Sequence, residues 1–216
     1  MKIELLSLAV LVSAILAIVF RQRENIKMFS VFKPLTTGLI ILIAIIIFTK
    51  HSSSYSAITI AALVFSLVGD VFLINMKYFL QGLSSFLIAH ICFTIGFASL
   101  YGFNWNIIPL VVLASISGVY YFYLRKDLKK YSIPVLVYIT VIVVMNWQAI
   151  GLVINNSEFI FYGIAIASIL FSFSDSILAY NKFKKPFKIA EILILSSYWI
   201  AIFIFSIAGL YVDTTK

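Results

Sequence analysis

Eight apolar runs, each close to the length that crosses a bilayer, occupy most of this 216-residue chain. A transmembrane α-helix needs about 20 consecutive, mostly apolar residues, within a range of about 17–25. The runs fall near residues 3–20, 34–49, 57–75, 83–101, 106–124, 132–150, 159–179 and 188–210. The pattern predicts an all-α integral membrane protein with eight transmembrane helices, forming a single polytopic membrane domain over residues 1–216.

The composition supports lipid as the solvent of most side chains. Hydrophobic residues make up 63% of the chain and charged residues 11%, with a mean hydropathy of +1.11. Soluble domains are closer to half apolar and a quarter charged. A soluble core could not hide this much apolar surface, so we expect a multi-pass protein of the cell membrane whose first partner is the lipid bilayer.

The formal net charge of +8 is distributed as membrane topology requires. Thirteen of the 16 Lys and Arg residues fall in the first, third, fifth and seventh loops, and the other three lie on the opposite side. Positive residues favour the cytoplasmic side. The odd loops are therefore expected in the cytoplasm with both termini outside, and nucleic acid is not expected as a partner.

Two aspartates interrupt apolar runs at comparable positions. Asp70 lies about 20 Å into the third run and Asp175 about 24 Å into the seventh, at 1.5 Å per residue. Each costs roughly 2.5–3.5 kcal/mol on insertion scales, which calls for a reason. Both runs point from outside to inside, so the two carboxyl groups are predicted to share one depth and one cavity. The alternative is that each is a helix-end residue near the lipid headgroups.

The segments around these aspartates echo one another. Ser66-Leu-Val-Gly-Asp70-Val-Phe-Leu73 ends the third run, and Phe171-Ser-Phe-Ser-Asp175-Ser-Ile-Leu178 lies near the end of the seventh. A duplicated four-helix unit, giving a parallel 4+4 internal repeat, would produce this match. A chance agreement at four positions would also produce it.

Further polar residues lie in or beside the apolar runs. Lys33 precedes Pro34 at the predicted inner start of the second helix, where an ordinary positive-inside charge is the competing explanation. His90 is placed in the inner half of the fourth helix, where a simple hydrogen-bonded histidine is equally expected. Asn146 shares a face with Tyr138 and favours an interhelical hydrogen bond.

Three other polar residues near the aspartates or the loop lysines have predicted contacts. Ser66 lies one turn before Asp70, and Ser172 lies three residues before Asp175, so each can bond a carboxyl group or let helices approach closely. Glu191 is expected to balance the nearby lysines 184, 185 and 188.

Motifs for other chemistries are absent from the sequence. It contains no G-x-S-x-G, no H-E-x-x-H, no P-loop and one cysteine, Cys92. Serine hydrolase and zinc chemistry therefore have no support, and no metal or cofactor is expected.

Taken together, these residues resemble the YhhN-type family of membrane proteins, which includes the lysoplasmalogenases. The matching pieces are Lys33-Pro34, Phe65 to Leu73, Phe86 to His90, Tyr138 with Met145-Asn146 and Ala149, and Phe173-Ser174-Asp175-Ser-Ile-Leu178 with Phe183. The last helix departs from the family pattern, because Tyr198-Trp199 and Ile202 stand where the pattern has Tyr-Tyr followed by Gln.

The resemblance implies hydrolysis of the vinyl ether bond of lysoplasmalogens, a class of lysophospholipid, to a fatty aldehyde and a glycerophospho-choline or -ethanolamine. Asp70 and Asp175 would be the catalytic pair, one protonated as the acid and the other ionised. The resemblance leaves the assignment open, and the more apolar flanks of Asp175 favour it as the acid. Lys33 and His90 would meet the substrate phosphate. The remaining expected substrate-site residues are Ser66, Ser174, Tyr138 and Asn146.

A transporter or channel for a small solute or lipid, coupling ions or protons through the same aspartates, is the competing function. Transporter sites tend to lie near the midplane on helices broken by Gly or Pro. Neither aspartate-bearing helix shows a clear break, which favours the enzyme.

Overall fold

A computed structural model of the chain describes residues 3–156 and 158–212, and these residues form eight α-helices. The helices are α1 (Ile3–Gln22), α2 (Ile26–Lys50), α3 (Ser54–Leu73), α4 (Phe79–Tyr101), α5 (Ile107–Leu128), α6 (Ser132–Asn155), α7 (Phe159–Phe183) and α8 (Ala190–Val212). Single 3₁₀ turns, Met76–Tyr78 and Lys129–Tyr131, precede α4 and α6. The described residues contain no β-strand, so the predicted all-helical class is confirmed.

Seven continuous helical segments of the described chain are long and apolar enough to cross a membrane. One of them, Ile107–Asn155, contains both α5 and α6. Lys129 takes a φ of 47° at the join, and Tyr121 and Ser132 approach to 2.7 Å across it. Because α5 and α6 also pack side by side, the chain turns back on itself at this point.

The second helix begins earlier than predicted. α2 starts at Ile26 rather than near residue 34, and Asn25 caps it by accepting a hydrogen bond from the Met28 N–H at 3.2 Å. Lys33 therefore lies inside a helix and is buried, and Pro34 lies inside the same helix instead of near its start. All other predicted boundaries agree with the structure to within five residues.

Helix α8 organises the bundle. It packs against α1, α2, α3 and α7, and it carries the longest set of buried residues of any described helix. On the other side α4 packs against α3 and α6. By contrast α5 buries only Tyr121, Leu124 and Leu128. The polar side chains of α2, α3, α4, α6, α7 and α8 can therefore meet in the interior.

The functional region lies near the end of the bundle where α2, α4, α6 and α8 begin. Lys33 is seven residues into α2, or about 10 Å at 1.5 Å per residue. Tyr138 is six residues into α6, about 9 Å, and Tyr198 eight residues into α8, about 12 Å. The same end carries most of the Lys and Arg residues, including Arg21 at the end of α1.

Candidate active site

Asp70 lies at the meeting point of α2, α3 and α8 and is only 1% exposed. Its Oδ2 atom accepts hydrogen bonds from the Thr37 hydroxyl at 2.6 Å and the Tyr198 hydroxyl at 2.9 Å. The Lys33 Nζ atom lies 3.5 Å from Oδ1. Two hydroxyl donors and one ammonium group around a single carboxyl group favour its ionised form, because each interaction is stronger with a carboxylate.

The α2 side of this cluster is set by helical periodicity. Lys33 and Thr37 are four residues apart, so they lie on one face of α2. The Trp199 indole N–H donates to the Thr37 oxygen at 3.2 Å. The Thr37 hydroxyl thus accepts from Trp199 and donates to Asp70, which fixes its orientation.

Asp175 forms a second cluster with residues of α4 and α6. Its Oδ2 atom accepts from the Tyr138 hydroxyl at 3.0 Å and lies 3.0 Å from His90 Nε2. Tyr138 and His90 also approach each other to 3.0 Å. The side chain of Asp175 keeps 11% of its surface exposed, whereas His90 is fully buried. The carboxyl group therefore has a protein side and an accessible side.

The other ring nitrogen of His90 lies 3.2 Å from the Met145 sulfur. A thioether can only accept a hydrogen bond, so this contact requires a proton on Nδ1. A neutral His90 then accepts at Nε2 from a protonated Asp175, and a charged His90 donates there to an ionised Asp175. With the Tyr138 hydroxyl donating to Asp175, each arrangement leaves one exchangeable proton between His90 and Asp175. With Tyr138 donating to His90 Nε2 instead, a neutral His90 faces an ionised Asp175. Both ring nitrogens of His90 contact other groups of the protein. Neither nitrogen is left for the phosphate contact that was predicted for His90.

Aromatic rings join the two clusters. Phe171 lies 4.5 Å from His90 and 5.2 Å from Tyr198 between ring centroids, and Phe86 lies 5.6 Å from Tyr198. Phe86 packs directly over Gly69, where an added Cβ would come within 2.6 Å of its ring. The glycine before Asp70 is thus required by the close approach of Phe86.

A cavity of about 40 Å³ brings the two aspartates together. Asp70 and Asp175 both line it, along with Lys33 and the Arg21–Glu191 ion pair, whose atoms are 2.8 Å apart. Glu191 therefore pairs with Arg21, and the expectation that it balances the lysines of the preceding loop is wrong. The reason is that α1 packs on α8 and brings Arg21 within reach.

A larger cavity of about 360 Å³ lies between α4, α5, α6 and α7. Asp175, Tyr138 and Asn146 supply polar groups to a lining that is mostly apolar, with Ile139, Leu113 and Phe173 among its walls. Four residues line both cavities: Leu73, Phe86, Asp175 and Leu178. Asp175 therefore stands between a polar compartment and an apolar one.

The serines near the aspartates bond to main-chain carbonyl groups. Ser66 donates to Ala62 O at 3.0 Å, and Ser172 donates to Ser168 O at 2.9 Å. Of the two roles predicted for Ser66 and Ser172, the bond to a carboxyl group is not formed, because a helical serine can satisfy its hydroxyl on the preceding turn. Ser174 donates to Ile194 O on α8 at 2.9 Å and lines the small cavity.

Asn146 makes the interhelical bond that its position predicted. Its Nδ2 atom donates to Ser172 Oγ on α7 at 2.6 Å and to Ile142 O at 2.9 Å.

Two residues of the Asp70 cluster, Thr37 and Tyr198, were missed by the sequence analysis. Thr37 had a usable signal, its spacing of one turn from Lys33. Tyr198 had only its match to the first tyrosine of the family's Tyr-Tyr pattern, since nothing local shows which helix α8 faces.

The described residues contain no group of three or more His, Cys, Asp or Glu side chains that could hold a metal ion. Both clusters consist of a carboxyl group with hydrogen-bond donors from two neighbouring helices, an arrangement suited to storing and moving a proton.

The chain is similar to known proteins over most of its length. A model of the YhhN family matches residues 28–209. The chain is similar to human lysoplasmalogenase TMEM86A, with 35% identity over 150 residues, covering 64% of this chain and 59% of that protein. It is also similar to human lysoplasmalogenase TMEM86B, with 28% identity over 162 residues, covering 74% and 66%. A lysoplasmalogenase homolog of Dictyostelium discoideum is 29% identical over 157 residues, covering 60% and 52%.

The matches span between about half and two thirds of the length of these relatives. No solved structure matches the chain.

Proposed function

The chain belongs to the YhhN family, and we propose that it is a membrane-embedded hydrolase that cleaves the vinyl ether bond of a lysoplasmalogen. The observation that carries the proposal is the place of Asp175, which lines both a small cavity with charged walls and a larger apolar cavity. A lysophospholipid has the same division between a charged headgroup and an apolar chain. The names of the relatives support the same substrate class.

Vinyl ether cleavage needs an acid and a water molecule. Protonation of the β-carbon breaks the carbon–carbon π bond and leaves an oxocarbenium cation. Water adds to the carbon next to the ether oxygen and loses a proton, which gives a hemiacetal. The hemiacetal then collapses to a fatty aldehyde and a glycerophospho-choline or -ethanolamine, so one water is consumed and the acid is restored.

Asp175 is the acid in this proposal. In this role Asp175 carries the proton that it shares with His90, and the exposed side of its carboxyl group meets both cavities. A positioned acid of this kind contributes typically 10²–10⁴-fold to a rate. His90 accordingly serves the carboxyl group rather than the phosphate.

Asp70 remains ionised and stabilises the cation. Its contacts with Lys33, Thr37 and Tyr198 favour the carboxylate, and it lines the small cavity beside Asp175. Two carboxyl groups in different environments can take opposite roles, as they do in glycosidases.

The substrate is placed across the two cavities. The alkenyl chain occupies the larger, apolar cavity, where Tyr138 and Asn146 also lie. The headgroup lies at the small cavity, whose walls carry Arg21 and Lys33 beside their partners Glu191 and Asp70. Ser174 supports the contact of α7 with α8 beside this cavity, and Ser66 lies one turn before Asp70. The reacting bond lies next to Asp175 at the junction.

We also propose eight membrane crossings in the cell membrane with both termini outside, arranged as a parallel 4+4 repeat. The turn between α5 and α6 supports eight crossings, and the charge distribution supports the orientation. The repeat is supported by matching contacts. Tyr138 lies 37 positions before Asp175, and Lys33 lies the same distance before Asp70. Each aspartate has a second partner four helices from its counterpart, Tyr198 on α8 and His90 on α4.

One assay tests the proposed activity. Purified protein in detergent receives a lysoplasmalogen and, in parallel, the ester-linked lysophospholipid with the same headgroup. Aldehyde release from the vinyl ether lipid alone is expected. A properly folded protein that releases no aldehyde would reject the hydrolase and leave the transporter as the function to examine. A topology reporter fused after Lys216 tests the orientation, and a cytoplasmic signal would contradict it.

A further inference from the structure

The amide oxygen of Asn146 is a buried acceptor without a use in the fold. Asn146 is 3% exposed and lines the larger cavity together with Asp175. Its nitrogen makes two hydrogen bonds, whereas its Oδ1 atom has no hydrogen-bond partner in the described part of the chain. A buried polar atom left unpaired costs about 1–3 kcal/mol. A buried acceptor of this kind, in a residue at the wall of a cavity, can be satisfied by a ligand that donates a proton to it.

The orientation of this amide is determined by its surroundings. The Asn146 nitrogen faces the Ile142 carbonyl oxygen at 2.9 Å, and a carbonyl oxygen can only accept. Turning the amide over would bring two acceptor oxygens together. The other partner, Ser172, already donates its proton to Ser168 O. The atom left over is therefore an oxygen, and the missing partner is an O–H or N–H donor.

We propose that Asn146 Oδ1 binds the water molecule that captures the oxocarbenium cation, an inference that rests on the proposed vinyl ether hydrolysis. Asn146 bonds to Ser172, which lies three residues before Asp175, or about 4.5 Å along α7. The hydrogen bonds of Asp175 with His90 and Tyr138 both use Oδ2, which leaves Oδ1 for another donor. In this proposal one water lies between Asn146 Oδ1 and Asp175 Oδ1.

The water then completes the reaction without a further reactant. Asp175 first gives its proton to the β-carbon. One O–H of the water donates to Asn146 Oδ1 and the other to the Asp175 carboxylate. As the water oxygen bonds to the cationic carbon, its second proton passes to Asp175 and restores the acid.

Deuterium exchange into unreacted substrate tests this assignment. In wild-type protein in D₂O, fast capture makes protonation of the β-carbon irreversible, so recovered lysoplasmalogen carries no deuterium. Asn146→Leu and Asn146→Ala lose the water ligand, so the cation lives long enough to rotate about the bond between the two former alkene carbons and to return its protium, rather than the delivered deuteron, to Asp175. Recovered substrate is then expected to contain the E isomer with deuterium at the β-carbon, and aldehyde release is expected to fall about tenfold, the equivalent of one hydrogen bond.

Ser172→Ala is the matched control. It removes the interhelical bond to the Asn146 nitrogen but retains the amide oxygen, and it is expected to give recovered substrate without deuterium. Folding of each variant is checked by thermal unfolding in detergent, and two substitutions of different volume guard against loss of one to misfolding.

Three results would overturn the inference. The first is recovered substrate without deuterium from both Asn146 variants. The second is as much deuterium in the substrate recovered from Ser172→Ala as in that from Asn146→Leu. The third is a weaker affinity of the Asn146 variants for the substrate, without deuterium exchange. The last would assign the amide oxygen to a substrate hydroxyl. A wild-type protein that forms no aldehyde would instead reject the proposed function itself.

Discussion

His90 Nε2 lies 3.0 Å from Asp175 Oδ2, although 85 positions of chain separate the two residues. The histidine is fully buried, and the carboxyl group keeps an accessible side at the junction of two cavities. The Met145 sulfur on the far side of the ring requires a proton on Nδ1. The His90–Asp175 contact therefore lies at the edge of an apolar cavity of about 360 Å³.

Asp175→Asn is expected to lower aldehyde release about 10²–10⁴-fold, because an amide cannot deliver the proton. The measurement is initial rate with a lysoplasmalogen in detergent. Asp127→Asn is the matched control. Its side chain is 42% exposed and pairs with Lys184 at the surface, so the rate is expected to stay within about twofold. An Asp175→Asn variant with near wild-type activity would remove this residue from the mechanism.

Met145→Leu is expected to slow aldehyde release about tenfold, since the His90 Nδ1–H loses its acceptor and the ring its fixed orientation. Stability is expected to change little, because Leu and Met have similar volumes and such exchanges usually cost less than about 1.5 kcal/mol. Met28→Leu, at an exposed position of α2, controls for loss of a sulfur atom. Equal rates in the two variants would show that the tautomer does not matter.

Lys33→Met is expected to destabilise the fold by about 3–5 kcal/mol, because it leaves the buried Asp70 carboxylate without its counter-charge. The double variant Lys33→Met/Asp70→Asn removes that charge and should recover part of the loss. Thermal unfolding in detergent measures both, with the exposed Lys27→Met as control. A double variant less stable than Lys33→Met would contradict an ionised Asp70.

Gly69→Ala is expected to cost about 1–3 kcal/mol of stability and to reduce activity, since the new methyl group displaces Phe86 from the wall shared by both cavities. Gly38→Ala on α2 is the matched control, because nothing lies within 4 Å of its added Cβ. Its stability should match or exceed wild type, as alanine is the better helix former. Indistinguishable unfolding temperatures would show that Phe86 yields without cost.

Leu113→Trp is expected to fill part of the larger cavity from α5. Rates with long alkenyl chains should then fall about tenfold relative to short ones, because pocket volume discriminates methylene groups. Val119→Trp places the same side chain on the exposed side of α5 and should leave the ratio unchanged. A uniform loss across chain lengths would place the alkenyl chain elsewhere.

Local patterns were sufficient to predict the helices and to single out Asp70 and Asp175. Hydropathy over a window of about 20 residues reports a helix directly, because every backbone polar group in lipid must bond within its own segment. The start of α2 was predicted too late because hydropathy was averaged over such a window. Lys27 and Lys33 lower the hydropathy of the first two turns, while the Asn25 cap, which marks the true start, lies outside the window.

Only the tertiary structure decided how the polar residues combine. Helical periodicity tells which side chains share a face, but it does not tell which helix that face meets, nor at what depth and rotation. Packing of α8 against α2 and α3 brings Tyr198 and Lys33 to Asp70, and packing of α4 against α6 brings His90 to Tyr138 beside Asp175. Two aspartates that are equivalent in sequence thus become different in chemistry, because their partners come from helices far apart in the chain.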